Sequence, residues 1–191
     1  NGRAPGDSDD ILVAGQLVTL NDVKDSNAAE VVDYDGRDKF AATNPVAVTR
    51  ALWANGSTTL FAAADEVYPT SDWGSNYLLP VGETSNTDFD YFQYTGVSVL
   101  AAADNTVVHI DRDNNGTDEM TCTLNQGQTC QWDDKSDSTG IMNVNNVIGN
   151  GLIVGSRIYT DGGKKIQVSL LTGDVCEGYE TRAYSLHPTT A

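Results

Sequence analysis

The chain has 191 residues, 39% of them hydrophobic, and its 27 acidic side chains outnumber 11 basic ones to give a net charge of −16. This length fits one large β domain or two small modules. The acidity argues against a nucleic-acid partner, because lysine and arginine must neutralise the phosphates. No run reaches the roughly 18 apolar residues of a membrane-spanning helix, so membrane insertion is not expected. Aspartate dominates the acidic residues, 21 Asp against 6 Glu, and it favours turns and calcium loops over helices.

Short runs rich in Val, Ile, Thr, Tyr and Leu follow one another along the chain, separated by Gly, Asn, Asp or Pro. Such runs predict β-strands, and no long apolar stripe has the 3.6-residue spacing of a helix. In chain order the predicted strands are residues 11–20, 46–53, 58–63, 91–94, 97–102, 106–111, 120–124, 128–132, 152–159, 165–171 and 182–186. We therefore predict an all-β fold, an antiparallel β-sandwich with Greek-key or jelly-roll-like connections.

Two parts of the chain resemble each other at an offset of about 120 residues, the kind of fixed period that marks a repeated module. Tyr34-Asp35-Gly36 corresponds to Thr160-Asp161-Gly162, and Val67-Tyr68-Pro69 corresponds to Leu186-His187-Pro188. Chance similarity between β-rich segments is the alternative. The predicted organisation is an acidic flexible tail at 1–10, N-terminal strands suited to strand exchange at 11–33, a β module at 34–150 and the start of a second, incomplete module at 151–191.

Three cysteines are present, and two of them flank a turn. Cys122 and Cys130 lie at equal distances on either side of Gln126, so a hairpin centred there would bring their side chains into disulfide range. We therefore predict a Cys122–Cys130 disulfide. Cys176 is left over, and it is either a buried free thiol or an intermolecular link.

Five segments of the chain carry recognisable motifs in a consistent order. They are residues 44–48 (NPVAV), 72–80 (DWGSNYLLP), 99–108 (VLAAADNTVV), 124–128 (LNQGQ) and, more loosely, 164–168 (KKIQV). Together they resemble the K-P-V-x-V, W-G-x-x-Y-x-x-P, A-x-x-D-N-T-x-V and L-x-x-G-Q motifs of IgGFc-binding protein N-terminal-like domains. The resemblance implies a secreted, β-rich, often repeated module with an adhesive, matrix or surface-binding role. It implies no catalytic residues, and the Asp-rich composition argues against transferring antibody binding.

The segment DRDNNGTDE at residues 111–119 is the best local candidate for a ligand site. Oxygen-bearing side chains at alternating positions, with Gly116 at the sixth, match the first half of a calcium loop. The glutamate expected at the twelfth position is absent, since Cys122 stands there, so an EF-hand is excluded. The alternative is a polar hairpin turn with Asn115-Gly116 in a type I′ conformation. The candidate calcium ligands are Asp111, Asp113, Asn115, Thr117 and Glu119.

Other candidate positions are fewer. Trp73 and Tyr77 could form an aromatic platform for a sugar, although such residues more often anchor a core. Asn55 and Asn115 lie in glycosylation sequons, and a glycan on Asn115 would compete with calcium. No catalytic constellation is recognisable, and His109 lies at an alternating position of a predicted strand, which favours packing.

These features predict a non-enzymatic extracellular structural or adhesive surface protein, able to self-assemble into a filament or array by β-strand pairing. Its expected partner is itself, or a protein or glycan of the cell surface. The chain begins at Asn1 without an initiator Met or an apolar signal run, which favours a mature secreted product or an excised fragment. The alternative function is that of a carbohydrate-binding, lectin-like module of a larger secreted protein.

Overall fold

The computed structural model describes residues 11–17, 40–53, 62–82, 94–132, 152–173 and 182–189. Within these residues the chain consists of strands that pair antiparallel, together with one short 3-10 turn at Asp161–Gly163. The strands are β1 (Thr49–Trp53), β2 (Ala62–Glu66), β3 (Asn76–Leu78), β4 (Tyr94–Ala101), β5 (Thr106–Asp111), β6 (Met120–Leu124), β7 (Thr129–Trp132), β8 (Arg157–Thr160), β9 (Ile166–Gly173) and β10 (Arg182–Ser185). The predicted all-β, antiparallel fold is confirmed for the described part of the chain.

Two four-stranded sheets share one hydrophobic core. Their strand orders are β10-β9-β4-β7 and β3-β8-β5-β6, and β1 and β2 form a separate two-stranded sheet. Strand β5 shows the pattern, since Val108 and Ile110 are fully buried while Val107 and His109 alternate onto the other face. Side chains that alternate in this way belong to a sheet with one face against a core. The largest fully buried members of the core are Tyr77, Leu79, Ile110, Leu152, Ile158, Ile166 and Leu170.

The strands before and after residue 150 belong to the same two sheets. Strand β4 pairs with β9 along its whole length, and β5 pairs with β8. The predicted boundary between a module at 34–150 and a second module at 151–191 therefore does not separate two folded units. The Greek-key or jelly-roll connectivity and the internal repeat stay predictions.

The chain divides into two units, residues 1–43 and 44–191. In the first unit, residues 11–17 form a turn where the sequence predicts the start of a strand. Gly15 has a φ of +83°, which favours glycine, and Gln16 N–H donates to Val13 O at 2.9 Å. The strand predicted at 11–20 is thus wrong over 11–17, and its remainder, like the predicted tail at 1–10, lies outside the described residues.

The β1–β2 and β9–β10 hairpins pair in the same register. In β1–β2, Val67 N–H donates to Val48 O at 2.9 Å, and in β9–β10, Leu186 N–H donates to Val168 O at 2.9 Å. Val67 and Leu186 begin the corresponding segments Val67-Tyr68-Pro69 and Leu186-His187-Pro188, and Val48 and Val168 end the motif segments 44–48 and 164–168. The strand pairs that follow correspond one by one: Thr49–Glu66 with Ser169–Ser185, Arg50–Asp65 with Leu170–Tyr184, and Ala51–Ala64 with Leu171–Ala183.

Candidate functional site

A polar cluster lies on the outer face of the β3-β8-β5-β6 sheet. The register places Tyr159 opposite His109, and their rings stack with centroids 4.7 Å apart and planes 13° apart. Asp118, from the loop after β5, binds both rings: its Oδ2 lies 2.8 Å from His109 Nδ1, and its Oδ1 accepts a hydrogen bond from the Tyr159 hydroxyl at 2.9 Å. Asp161 Oδ2 lies 3.3 Å from His109 Nε2. His109 is therefore a side chain held between two carboxylates.

The carboxylates control the protonation of this cluster. Burial lowers the pKa of His109, but the hydrogen bonds and negative charges of Asp118 and Asp161 outweigh that effect, so the pKa lies above its ordinary value of 6.5. The hydrogen bond to Asp118 raises the pKa of Tyr159 above 10.0. When His109 is protonated, its attraction to both carboxylates stabilises the loop that carries Asp118 against the sheet.

Further contacts cover the Tyr159 ring. The Arg157 guanidinium carbon lies 4.4 Å from the ring centroid, and Arg157 Nε donates to Asn76 Oδ1 at 2.7 Å. Because His109 also stacks on this ring, its faces contact the chain's own side chains. The cluster thus joins β3, β8, β5 and a loop. Sequence reasoning placed His109 on a sheet face but missed its partners, because Tyr159 is distant from it in the chain and Asp118 lies in a loop whose course the strand pattern does not determine.

The predicted calcium loop connects β5 to β6, and the side-chain oxygens of three candidate ligands, Asp111, Asn115 and Glu119, accept backbone hydrogen bonds. Asp111 is 1% exposed, and its two carboxylate oxygens accept N–H groups of Asn115 at 3.0 Å and Gly116 at 2.7 Å. Asn115 Oδ1 accepts the Thr117 N–H at 2.8 Å, and Glu119 Oε2 accepts the N–H at position 112 at 2.6 Å. In the described part of the chain no group of three or more His, Cys, Asp or Glu residues could hold a metal ion. Calcium binding stays a prediction.

The conformation of this loop also differs from the predicted type I′ turn. That turn needs positive φ at both Asn115 and Gly116. The structure instead has positive φ at Asn114 (54°) and Gly116 (90°). The alternative of a tight turn at Asn115-Gly116 is therefore wrong, because Asp111 closes a longer loop by capping the N–H groups of both residues.

The predicted aromatic platform is part of the core. Trp73 is 9% exposed and Tyr77 is 0% exposed. Trp73 Nε1 donates to Tyr68 O at 2.9 Å, and the Tyr77 hydroxyl accepts the Gly74 N–H at 3.0 Å while donating to Ile166 O at 2.5 Å. The platform prediction is wrong, because both polar atoms and both rings are used internally. The lectin-like alternative thus loses its proposed platform.

Three of the five family-like segments are joined by hydrogen bonds between the two sheets. The Asp104 carboxylate accepts the N–H of Gln126 at 2.9 Å, and Gln126 Nε2 donates to Ala102 O at 3.0 Å. Lys164 Nζ donates to the carbonyl oxygens of Asp104 at 2.9 Å and Asn105 at 2.7 Å. The A-x-x-D-N-T, L-x-x-G-Q and K-x-I-x-V segments are therefore linked loops that fix how the strands cross between the sheets.

The predicted disulfide between Cys122 and Cys130 is present. It does not close a hairpin, because Cys122 lies on β6 and Cys130 on β7, which belong to different sheets. The turn at residues 125–128 is the corner between them, and the disulfide joins an edge strand of each sheet. Cys176 and the sequon residue Asn55 lie outside the described residues, and glycosylation of Asn115, which is exposed, stays a prediction.

The β1–β2 hairpin presents a different kind of candidate site, a strand edge. Arg50 and Asp65 form a two-fold hydrogen-bonded ion pair across it, with N–O distances of 3.2 and 3.1 Å. Asp65 also accepts a hydrogen bond from Ser185 of β10 at 2.5 Å, and the Tyr68 and His187 rings lie 4.2 Å apart. Among the described residues β1 pairs only with β2, so its other edge is unpaired there.

Comparisons with known proteins were made at three levels. The family model described as IgGFc binding protein matches two stretches, residues 11–148 and 63–184, which overlap. A search of curated proteins and a search of solved structures each return no match. Among the described residues, no helix is long and apolar enough to cross a membrane. Because the matched stretches together span nearly the whole chain, the chain belongs to the IgGFc binding protein family.

Proposed function

We propose that this chain is a non-catalytic, extracellular adhesive module that binds a protein partner through its β framework. Membership of the IgGFc binding protein family carries the proposal, since that family is one of extracellular binding modules. The buried positions of Trp73 and Tyr77 favour a protein partner over a sugar, because the aromatic residues expected to stack on a sugar are used in the core. The Cys122–Cys130 disulfide is compatible with an oxidising, extracellular environment.

Strand pairing is the binding mode that the fold supports best. An unpaired strand edge offers a row of N–H and C=O groups to an incoming chain, and β1 has such an edge among the described residues. If strand pairing of this kind continued from chain to chain, it would build a filament or array. Immunoglobulin Fc is the partner that the family's description suggests.

Biolayer interferometry with the full chain immobilised tests the proposal. The probes are an IgG Fc fragment, fibronectin, mucin and a panel of soluble polysaccharides free of protein. We expect saturable binding of at least one protein probe and none of the polysaccharides. Binding of polysaccharide alone would support the lectin-like alternative and overturn the proposal.

A further inference from the structure

The two matching hairpins differ in what lies beside them. On one side β9 pairs with β10, and on the other it pairs with β4. Within that second pairing Ser169 faces Ser98, and Leu171 faces Gly96. The counterparts of Ser169 and Leu171 in the first hairpin are Thr49 and Ala51, and on the side of β1 away from β2 no described strand faces them.

The hydrogen-bonding groups of Thr49 and Ala51 point to this unpaired edge. In an antiparallel pair, residues alternate between those that exchange hydrogen bonds with the partner and those whose groups point away. Val48 accepts the Val67 N–H, so the backbone N–H and C=O groups of Arg50 and Leu52, two and four residues further on, also point to β2. The backbone N–H and C=O groups of Thr49 and Ala51 therefore point away from β2. The same groups of Ser169 and Leu171 point away from β10, toward β4.

A second feature repeats in the N-terminal unit. Val13 N–H donates to Gln16 Oε1 at 3.1 Å and Gln16 N–H donates to Val13 O at 2.9 Å, with Gly15 at a φ of +83°. The turn at residues 124–128 has the same bonds, between Asn125 and Gln128 at 2.8 and 2.9 Å, with Gly127 at +78°. A third turn, at residues 152–156, uses Ser156 in place of glutamine. Turns of this type lead directly into β7 and β8, in the later half of the sandwich.

The repeated turn and hairpin thus all correspond to the later half of the sandwich. Residues 11–69 contain counterparts of a turn and a hairpin that belong to the later half of the sandwich, β7 to β10. The described residues contain one strand of the β4 type, and β9 and β7 already pair with it. If a second copy of the chain paired its β4 with β1 of the first copy, the β9 strand of the second copy would lose its partner. The number of unpaired strand edges would then stay the same, so a second copy gains nothing by this exchange.

We propose that the outer edge of β1 binds a β4-type strand from another module of the same family, carried by a different polypeptide. Such a strand is extended and antiparallel to β1, with small or polar residues opposite Thr49 and Ala51 and aliphatic residues between them, as Gly96, Ser98 and Val97 are arranged in β4. The inference rests on the proposed function and specifies its partner class.

A peptide with the sequence of β4, Tyr94–Ala101, is the probe, with two added lysines for solubility and a fluorescent label. Its binding to the full chain is measured by fluorescence anisotropy beside a scrambled peptide. Ala51→Pro removes an N–H that points outward and leaves the β1–β2 ladder complete, because proline is tolerated at an edge position. Ala64→Pro is the matched control, since Ala64 lies directly opposite Ala51 and its N–H points to the far edge of β2.

We expect the β4 peptide to bind the wild type and Ala64→Pro alike, and Ala51→Pro to weaken binding by about tenfold or more. Hydrogen exchange followed by NMR gives a second readout, in which the peptide slows exchange at Thr49 and Ala51. Absence of peptide binding to the wild type would overturn the inference. So would an equal loss of peptide affinity in Ala51→Pro and Ala64→Pro, provided that both variants keep the wild-type melting temperature.

Two further outcomes would assign the edge to another occupant and also overturn the inference. One is a dimer of the chain alone, seen by sedimentation velocity and abolished by Ala51→Pro. The other is Fc binding that Ala51→Pro abolishes and Ala64→Pro leaves unchanged. If the chain binds a protein probe in interferometry but not the β4 peptide, this inference fails while the proposed function stands.

Discussion

The disulfide between Cys122 and Cys130, which joins the two sheets, should stabilise the chain measurably, because it restricts the conformations of the unfolded chain. The two cysteines are 8 residues apart, and for a closed loop of about that length the chain-entropy relation gives about 2.5 kcal/mol at 25 °C. For a chain of this size each kcal/mol corresponds to roughly 2–4 °C in melting temperature. We therefore expect loss of the disulfide to lower the melting temperature by about 5–10 °C.

The measurement is thermal unfolding followed by circular dichroism, with and without dithiothreitol. Every protein carries Cys176→Ser, so that the third thiol cannot form an alternative disulfide. Cys122→Ser, Cys130→Ser and the double variant are compared with this reference. Because either single change abolishes the same bond, the double variant should lose little more than each single variant, and dithiothreitol should destabilise the reference alone.

Two results would refute this reasoning. A melting temperature of the reference that dithiothreitol leaves unchanged would show that the bond does not constrain the unfolded chain. Additive losses in the double variant would show that the two cysteines act separately, through packing against the core, which both of them contact.

Three further substitutions test other parts of the framework. Asp111→Asn removes one acceptor for the N–H groups that Asp111 caps, so the free energy of unfolding should fall by about 1–3 kcal/mol. If the loop binds calcium, a chelator should lower the wild-type melting temperature, and this effect should vanish in Asp111→Asn. His109→Gln removes a group whose pKa is raised in the folded chain; its contribution is complete below the unfolded pKa and lost as pH rises through the folded pKa. The difference between wild type and His109→Gln in urea unfolding should therefore be largest well below the unfolded pKa of 6.5 and shrink as the pH rises above it. Gly82→Ala places a Cβ against the backbone of residues 153 and 154, and thermal unfolding should show a loss of about 1–3 kcal/mol or more.

The local pattern of the sequence predicted the strands well where one face is buried. The run at 106–111 was predicted as a strand with His109 on a sheet face, and the structure has β5 there, with Val108 and Ile110 buried and His109 on the opposite face. The spacing of Cys122 and Cys130 predicted their disulfide, because two cysteines flanking a short turn come close in almost any β arrangement. These features depend on residues that are near one another in the chain.

Features that depend on distant residues were not predictable in the same way. A turn at residues 125–128 is visible in the sequence, but whether the next strand joins the same sheet or the other one is decided by the pairing of β7 with β4. Trp73 is followed by Gly74, which Pro188 approaches closely from a distant part of the chain. Strand β3 is only three residues long, too short for an alternating pattern to identify.

The positions of the family motifs bear on where binding specificity can arise. The Trp73 indole N–H donates to Tyr68 O, and the Tyr77 hydroxyl donates to Ile166 O. Gly74 lies against Pro188, and the Asp104 carboxylate accepts the Gln126 N–H. Residues that bind one another in this way build the framework and are not free to recognise a partner. Two members of the family that share these motifs can therefore share a fold and differ in what they bind. Specificity is then expected at strand edges and in loops that the framework leaves open, and in the described part of this chain the outer edge of β1 is such a place.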